Sequence, residues 1–236
     1  MLIDVALNPA EIALLPQRDL SATTCVVFDI LRATSSMITA LEHGAVEIHP
    51  VRTIEEAFAL KERMPEAVLG GERHGELIPG FEVGNAPQEY AAMLGRTIIT
   101  TTTNGTVALR ACEGARSVLV GALLNLDALL AEIVEEDPKH LLLVCAGTFA
   151  DFALEDAYAA GALIAEFEES DLTDSAQAAL AVTHRFPEPI TALRTAKNGM
   201  VLAEKGRAAE VEWCAQRSVF NVVGQMQSAV IRPLAK

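Results

Sequence analysis

The sequence predicts an α/β protein, a layered α/β/α arrangement around a parallel or mixed sheet. Three observations carry that expectation. Short β-favouring runs alternate with longer stretches of helical periodicity along most of the chain. Several runs, Cys25-Val-Val-Phe28 and His140 to Ala146 among them, are almost wholly apolar, as in strands buried on both faces. The order strand, helix, strand, helix, strand then occurs twice with matching punctuation, Gly44-Ala with Pro65 and Gly114-Ala with Pro138. That repetition suggests duplication of a β-α-β-α-β unit, giving two lobes around one cleft with a join near residues 75–95.

In chain order, Leu2 to Leu7 reads as a short edge strand and Asn8-Pro-Ala-Glu-Ile as a turn opening into a helical turn. The strand Cys25 to Phe28 runs into Asp29-Ile-Leu-Arg32-Ala-Thr34, where a helix begins with a hydroxyl at its start. Val46 to Val51 is the next strand. Thr53 and Glu56 stand in capping-box order and open a helix to about Met64, which Pro65 ends. Ala67 to Leu69 closes the first unit on Gly70-Gly-Glu72-Arg73-His-Gly75, and residues 75–87 are too rich in Gly and Pro for a regular element. The second unit comprises strand Thr97 to Thr102, a helix from Asn104-Gly105-Thr106 through Cys112, strand Ser117 to Val120, helix Asn125 to Glu136 and strand His140 to Ala146. Helical patterns follow over Phe152 to Phe167 and Asp174 to Thr183. Glu188 to Arg217 mixes helical runs with glycines, and Ser218 to Val223 and Ala229 to Ile231 read as closing strands.

Composition narrows the function classes. With 236 residues, 51% of them hydrophobic, the chain can bury a full core. It has no apolar run of roughly 20 residues and no basic leader ahead of an apolar stretch, so a cytoplasmic protein without a membrane is expected. Cys25, Cys112, Cys145 and Cys214 are widely and irregularly spaced among apolar neighbours, which fits reduced core thiols better than a disulfide frame or zinc site. A formal charge of −14 argues against nucleic acid, whose phosphates require clustered Lys and Arg. No glycine-rich dinucleotide or P-loop motif is present where a strand meets a helix.

Residues with chemical character fall at strand ends, where an α/β sheet leaves a crevice. Asp29, Arg32 and Thr34 follow the first strand, and Glu72 with Arg73 the third. Thr101-Thr-Thr103-Asn104-Gly105-Thr106 follows the first strand of the second unit, and Cys145 to Thr148 with Glu155-Asp156 its third. If the strands are parallel, all four segments meet on one rim. Carboxylates beside anion donors suggest Mg2+, which binds one or two carboxylates and otherwise takes water and phosphate oxygens. Each piece also has a plainer role. Asp29 and Arg32 suit a structural ion pair equally well, Glu155-Asp156 a solvated helix face, Cys145 the core and His74 an exposed loop. Asn104-Gly105 leans toward anion binding, since glycine lets the backbone approach a ligand closely.

Five segments in order resemble one family: Asp29-Ile-Leu-Arg32-Ala-Thr34, Gly70-Gly-Glu72-Arg73-His-Gly75, Gly80-Phe-Glu-Val-Gly84-Asn85-Ala-Pro87, Thr101-Thr-Thr-Asn104-Gly105-Thr106, and Cys145-Ala-Gly147 with Leu154-Glu155-Asp156. The family is that of the 2-phosphosulfolactate phosphatases (ComB), and the resemblance runs from about Val26 to at least Gly161. Ala86, Val107 and Gly224-Gln-Met depart from its usual residues. The resemblance implies one phosphatase domain over 1–236 that hydrolyses a small anionic phosphorylated substrate, 2-phosphosulfolactate, with Mg2+, on the way to coenzyme M. On this basis Asp29 and Glu72 are expected to hold Mg2+, with Glu155 or Asp156 as a further ligand or water-orienting base. Arg32 and Arg73 would clamp acidic groups, and Thr34, Thr103, Asn104 and Gly105 would donate to phosphoryl oxygens. Asn85 belongs to a segment that shapes the site. Leu31 stands where the commonest aspartyl-nucleophile phosphatases have a second acid, so direct attack by water is favoured over a covalent intermediate. A phosphatase for a different phosphorylated 2-hydroxy acid and a non-catalytic anion-binding protein are the competing readings. A homodimer is compatible with any of them.

Overall fold

The computed structural model describes residues 1–234. Eleven strands form one mixed, unclosed sheet: β1 (Leu2–Ala6), β2 (Thr23–Phe28), β3 (Glu47–Pro50), β4 (Val68–Arg73), β5 (Glu76–Leu77), β6 (Thr97–Thr101), β7 (Ser117–Gly121), β8 (His140–Cys145), β9 (Asp171–Leu172), β10 (Gly224–Gln227) and β11 (Val230–Pro233). Their spatial order is β5-β4-β6-β3-β11-β10-β7-β2-β8-β1-β9. The helices are α1 (Pro9–Ile12), α2 (Ala33–Glu42), α3 (Ile54–Arg63), α4 (Gly105–Ala111), α5 (Leu126–Glu136), α6 (Leu154–Ile164), α7 (Asp174–Arg185), α8 (Pro189–Thr195), α9 (Lys197–Glu204) and α10 (Ala208–Cys214).

Two parallel groups, β4-β6-β3 and β7-β2-β8-β1-β9, are joined by the antiparallel hairpin β10-β11. Counting pairings across the hairpin, the two groups run in opposite directions. In each group the middle strand comes from the other sequence unit: β2 lies between β7 and β8, and β6 between β3 and β4.

The alternation of side chains along the strands divides the core between layers. Val26 and Phe28 of β2, with Leu141 and Leu143 of β8, pack with α5, α6 and α7 on one face. Cys25, Val27, Leu142 and Val144 face the other way, onto α2 and α4. Ile48, Val68 and Ile98 from the opposite group join that same cluster, so the sheet bends around α2 and α4. Ile99 and Leu69 turn outward to α3. All four cysteines are buried and free. Among the described residues no helix is long and apolar enough to cross a membrane.

Some local expectations change. β1 is not an edge, because β9 pairs outside it at Leu2 and Ile3. Residues 218–223 form no strand: the N–H groups of Ser218 and Phe220 donate to Leu123 and Leu124, at 2.8 and 2.9 Å, and pairing begins only at β10. Thr53 does accept from Glu56 N–H, at 3.1 Å, but the Glu56 carboxylate takes the N–H of Arg52 rather than that of Thr53. β4 runs on through the glycine pair to Arg73. There Gly71 has φ +136°, and a Cβ would stand 2.1 Å from the carbonyl oxygen of Thr101.

Gly71→Ala is therefore expected to lose on the order of 3 kcal/mol of stability by chemical denaturation. Gly114→Ala, at a position where a Cβ meets nothing within 4 Å, should stay within about 0.5 kcal/mol of the parent. Equal losses in the two variants would contradict the close approach of β4 and β6.

Candidate active site

The turn after β2 is shaped by its own hydroxyl. Thr34 Oγ1 accepts the N–H of Asp29 and donates to the Asp29 carbonyl, both at 3.0 Å, so it closes the turn instead of capping the helix. The N–H of Ala33 then donates to Asp29 Oδ1 at 3.1 Å. The other oxygen, Oδ2, lies against Gly105 at the start of α4, where a Cβ would be 2.6 Å away. Only glycine lets the turns after β2 and β6 come so near.

β4 delivers Glu72 to the same place. Its carboxylate accepts the N–H of Thr103 at 2.7 Å, the Thr103 hydroxyl at 3.2 Å and the N–H of Gly75 at 2.6 Å. Arg32, 5% exposed, forms an ion pair with Glu210 on α10, and its Nη2 donates to the Gly75 carbonyl at 3.4 Å. Behind this layer, Asp156 accepts the N–H of Ile30 at 2.8 Å on one oxygen and that of Gly147 at 3.0 Å on the other. It thereby ties the turn after β2 to the turn after β8. Asn198 on α9 donates to Glu155 at 2.7 Å and to the Thr148 hydroxyl at 2.6 Å.

These elements enclose a cavity of about 150 Å³, small beside the sites of drug-sized ligands. Asp29, Arg32, Glu72, Asn85, Thr103 and Asn104 line it, as does an unforeseen set of polar residues from α9 and the segment after it: Lys197, Asn198, Lys205 and Arg207. The His74 and Phe149 rings, also part of the wall, stack at 5.5 Å between centroids and 26° between planes. Asn85 is 7% exposed, and its side-chain amide has no hydrogen-bond partner among the described residues.

Other expected residues sit elsewhere. The Arg73 guanidinium does not line the cavity; it donates to the carbonyls of Glu72 and Arg52 and to Thr101 Oγ1 along the strands. Thr34, Gly105, Glu155 and Asp156 lie behind the wall. Glu155 and Asp156 are buried, not a solvated helix face. The Asn104 amide is occupied by backbone: it donates to the carbonyls of Ala146 and Phe149 and accepts the N–H of Phe149, between 2.9 and 3.0 Å. The α9 to α10 residues left one signal in the sequence. Lys197, Lys205 and Arg207 form a basic cluster in a chain of charge −14.

The carboxyls at this junction repel one another. Burial first, then the charges of Glu72 and Glu155, push Asp29 up from 3.8 to about 7 against the pull of the Ala33 N–H and Arg32. Burial and the charges of Glu155 and Asp29 hold Asp156 well above the usual carboxylate range. Burial also raises Glu155, with Asn198 opposing. Two carboxylates facing the cavity with excess negative charge suit a hard cation. Mg2+ needs only one or two such ligands beside water. No group of three or more Asp, Glu, His or Cys assembles as a metal cage among the described residues.

The fold and site define an α/β protein with a carboxylate-floored, cation-rimmed cavity for a small anionic ligand. The chain belongs to the 2-phosphosulpholactate phosphatase family, whose profile matches residues 11–229. Curated relatives named "Probable 2-phosphosulfolactate phosphatase" include proteins of Deinococcus radiodurans, 40% identical over 84% of this chain and 85% of the relative, and Carboxydothermus hydrogenoformans, 37% identical over 94% and 92%. A third, from Clostridium acetobutylicum, is 35% identical over 98% of this chain and 100% of its own length.

A buried acid with a raised pKa makes stability depend on pH in a definite sense. Between the unfolded value of 3.8 and the folded value of about 7, the folded state holds more protons than the unfolded state. Stability therefore falls as pH rises through that window. In chelator, Asp29→Asn should match the parent at about pH 4 and be more stable by a few kcal/mol at about pH 8. A variant less stable than the parent at about pH 8 would contradict the repulsion.

Proposed function

We propose that the chain is a phosphoric monoester hydrolase that uses Mg2+ to release phosphate from a small phosphorylated acid, 2-phosphosulfolactate, leaving sulfolactate. The observation that carries this reading is the pairing of Asp29 and Glu72 in one small cavity with Arg32, in a chain whose relatives bear that enzyme's name. Asp29 and Glu72 would hold Mg2+, with Glu155 near enough for its charge to act on Asp29. When bound, Mg2+ supplies Lewis acidity and charge neutralisation to phosphoryl oxygens.

The chain's own residues do the positioning. Phosphoryl transfer depends on in-line placement and on charge stabilisation. Arg32 cannot swing, because Glu210 and the Gly75 carbonyl hold it, and it presents the rest of its planar fork to anionic oxygens. The unpaired Asn85 amide offers a further donor. Thr103 and Gly75 orient Glu72, and Asp156 ties the turn that carries Asp29 to the turn after β8. Without a cation Asp29 is held up at about 7 by burial and its acidic neighbours, and a bound Mg2+ would offset that repulsion and keep the carboxylate ionised.

A phosphate-release screen with 2-phosphosulfolactate, phospholactate and phosphoglycolate, with and without Mg2+, tests the proposal. Turnover of 2-phosphosulfolactate should be fastest and should vanish in chelator. Asp29→Asn should fall by at least about 10³-fold with an unchanged circular dichroism spectrum. Gly105→Ala, which displaces the Asp29 carboxylate, should lose about 10²-fold. Full activity in Asp29→Asn would overturn the assignment.

A further inference from the structure

Beside the carboxylate end of the cavity, two guanidiniums converge on one carbonyl. The Gly75 oxygen accepts from Arg207 Nη1 at 2.7 Å and from Arg32 Nη2 at 3.4 Å. Like charges brought so close must each have a compensating anion, and the two anions differ. Arg32 is matched by Glu210, with side-chain exposures of 5% and 14%, a fixed and largely dry pair. Arg207 is matched by Glu76 at 3.1 Å, with exposures of 30% and 57%, and Lys205 bonds the same carboxylate. Exposed pairs are weak and exchange readily. Glu76, which does not line the cavity, therefore holds Arg207 and Lys205 only loosely from outside it.

We propose that Arg207, assisted by Lys205, is the specificity arm of the cavity: it binds an acid group of the substrate other than the phosphoryl group, and Glu76 tethers it until that group arrives. Gly75 sets the spacing. Its N–H is bonded to Glu72 and its C=O to the two arginines, so the cation-holding and acid-reading ends are linked through a single residue. Ends joined through one residue suit a small ester that carries its acid group close to the phosphoryl group, as in a phosphorylated 2-hydroxy acid. The surroundings agree, since Arg32, Lys197, Lys205 and Arg207 all line this cavity in a chain of charge −14. A ligand with only its phosphoryl group charged would leave most of them unused.

The inference takes its reaction from the phosphatase reading, and its test separates the two. In the full chain with Mg2+, Arg207→Gln should lower kcat/KM for 2-phospholactate about 30-fold, mainly through KM, and for ethyl phosphate less than about 3-fold. Glu76→Gln should lower KM for 2-phospholactate and leave ethyl phosphate unchanged. Arg194→Gln, a surface control whose partner Glu212 is 57% exposed, should change neither substrate. Calorimetry with sulfolactate needs no turnover: Arg207→Gln should bind it at least about 10-fold more weakly than the parent. Should no ester be hydrolysed while sulfolactate binding still depends on Arg207, the phosphatase reading fails and the arm stands. Equal losses on both esters, or sulfolactate binding indifferent to Arg207 or undetectable in the parent, overturn the arm. If Arg207→Gln does not fold, Glu76→Gln decides, and an unchanged or higher KM for 2-phospholactate counts against the proposal.

Discussion

The contact on which the site depends is that between the Asp29 carboxylate and the bare Cα of Gly105. It is where the turn leaving β2 meets the turn leaving β6, strands that lie in oppositely directed halves of the sheet. Those halves fold over α2 and α4, which begin at these two turns, so the shared core between them and the cavity at their ends follow from one packing arrangement. Burial at the junction is also what burdens Asp29, because a carboxyl removed from water beside Glu72 and Glu155 resists ionisation. Position and proton affinity have the same origin.

Around that contact the polar groups form two tiers. The inner tier faces the cavity: Asp29, Glu72, Arg32, Asn85 and the basic residues of the α9 to α10 segment. The outer tier bonds mainly to backbone. Thr34 closes one turn, Asp156 joins two, and Asn104 fastens the residues after β8. Thr34 and Asp156 are more deeply buried than Asp29 or Glu72, and Asn104 is part of the wall itself, yet the lone pairs and protons of all three are already committed. Their contribution is to hold the geometry of a reaction whose rate depends on placement.

Much of this could be read from the chain. Continuous apolar or β-favouring runs and helical spacing marked β2, β6 and β8 and the helices after them, because local patterns determine those elements. The meeting of Asp29, Glu72 and Thr103 at strand ends was equally legible. The direction of the two halves was not, since it is imposed by the β10 to β11 hairpin, whose short strands carry little periodicity and whose partners lie roughly 100 residues or more away. Nor could side-chain commitments be seen: the same Asn104 or Arg73 suits a ligand or a carbonyl until the fold supplies one. Lys205 and Arg207 carried no signal beyond their charge, for a related reason. They sit on the link between α9 and α10, away from any strand end, and only the fold brings that link to Glu76 of β5 and the Gly75 carbonyl.

On the proposed function, an acidic chain that binds phosphate must first cancel its own field, and Mg2+ between Asp29 and Glu72 would do so, with the arginines holding the rest of the ligand. Calorimetric affinity of inorganic phosphate for the parent protein, in chelator and in saturating Mg2+, tests this most directly. The account predicts binding at least about 10-fold tighter with Mg2+ present; equal affinity in the two buffers would contradict it.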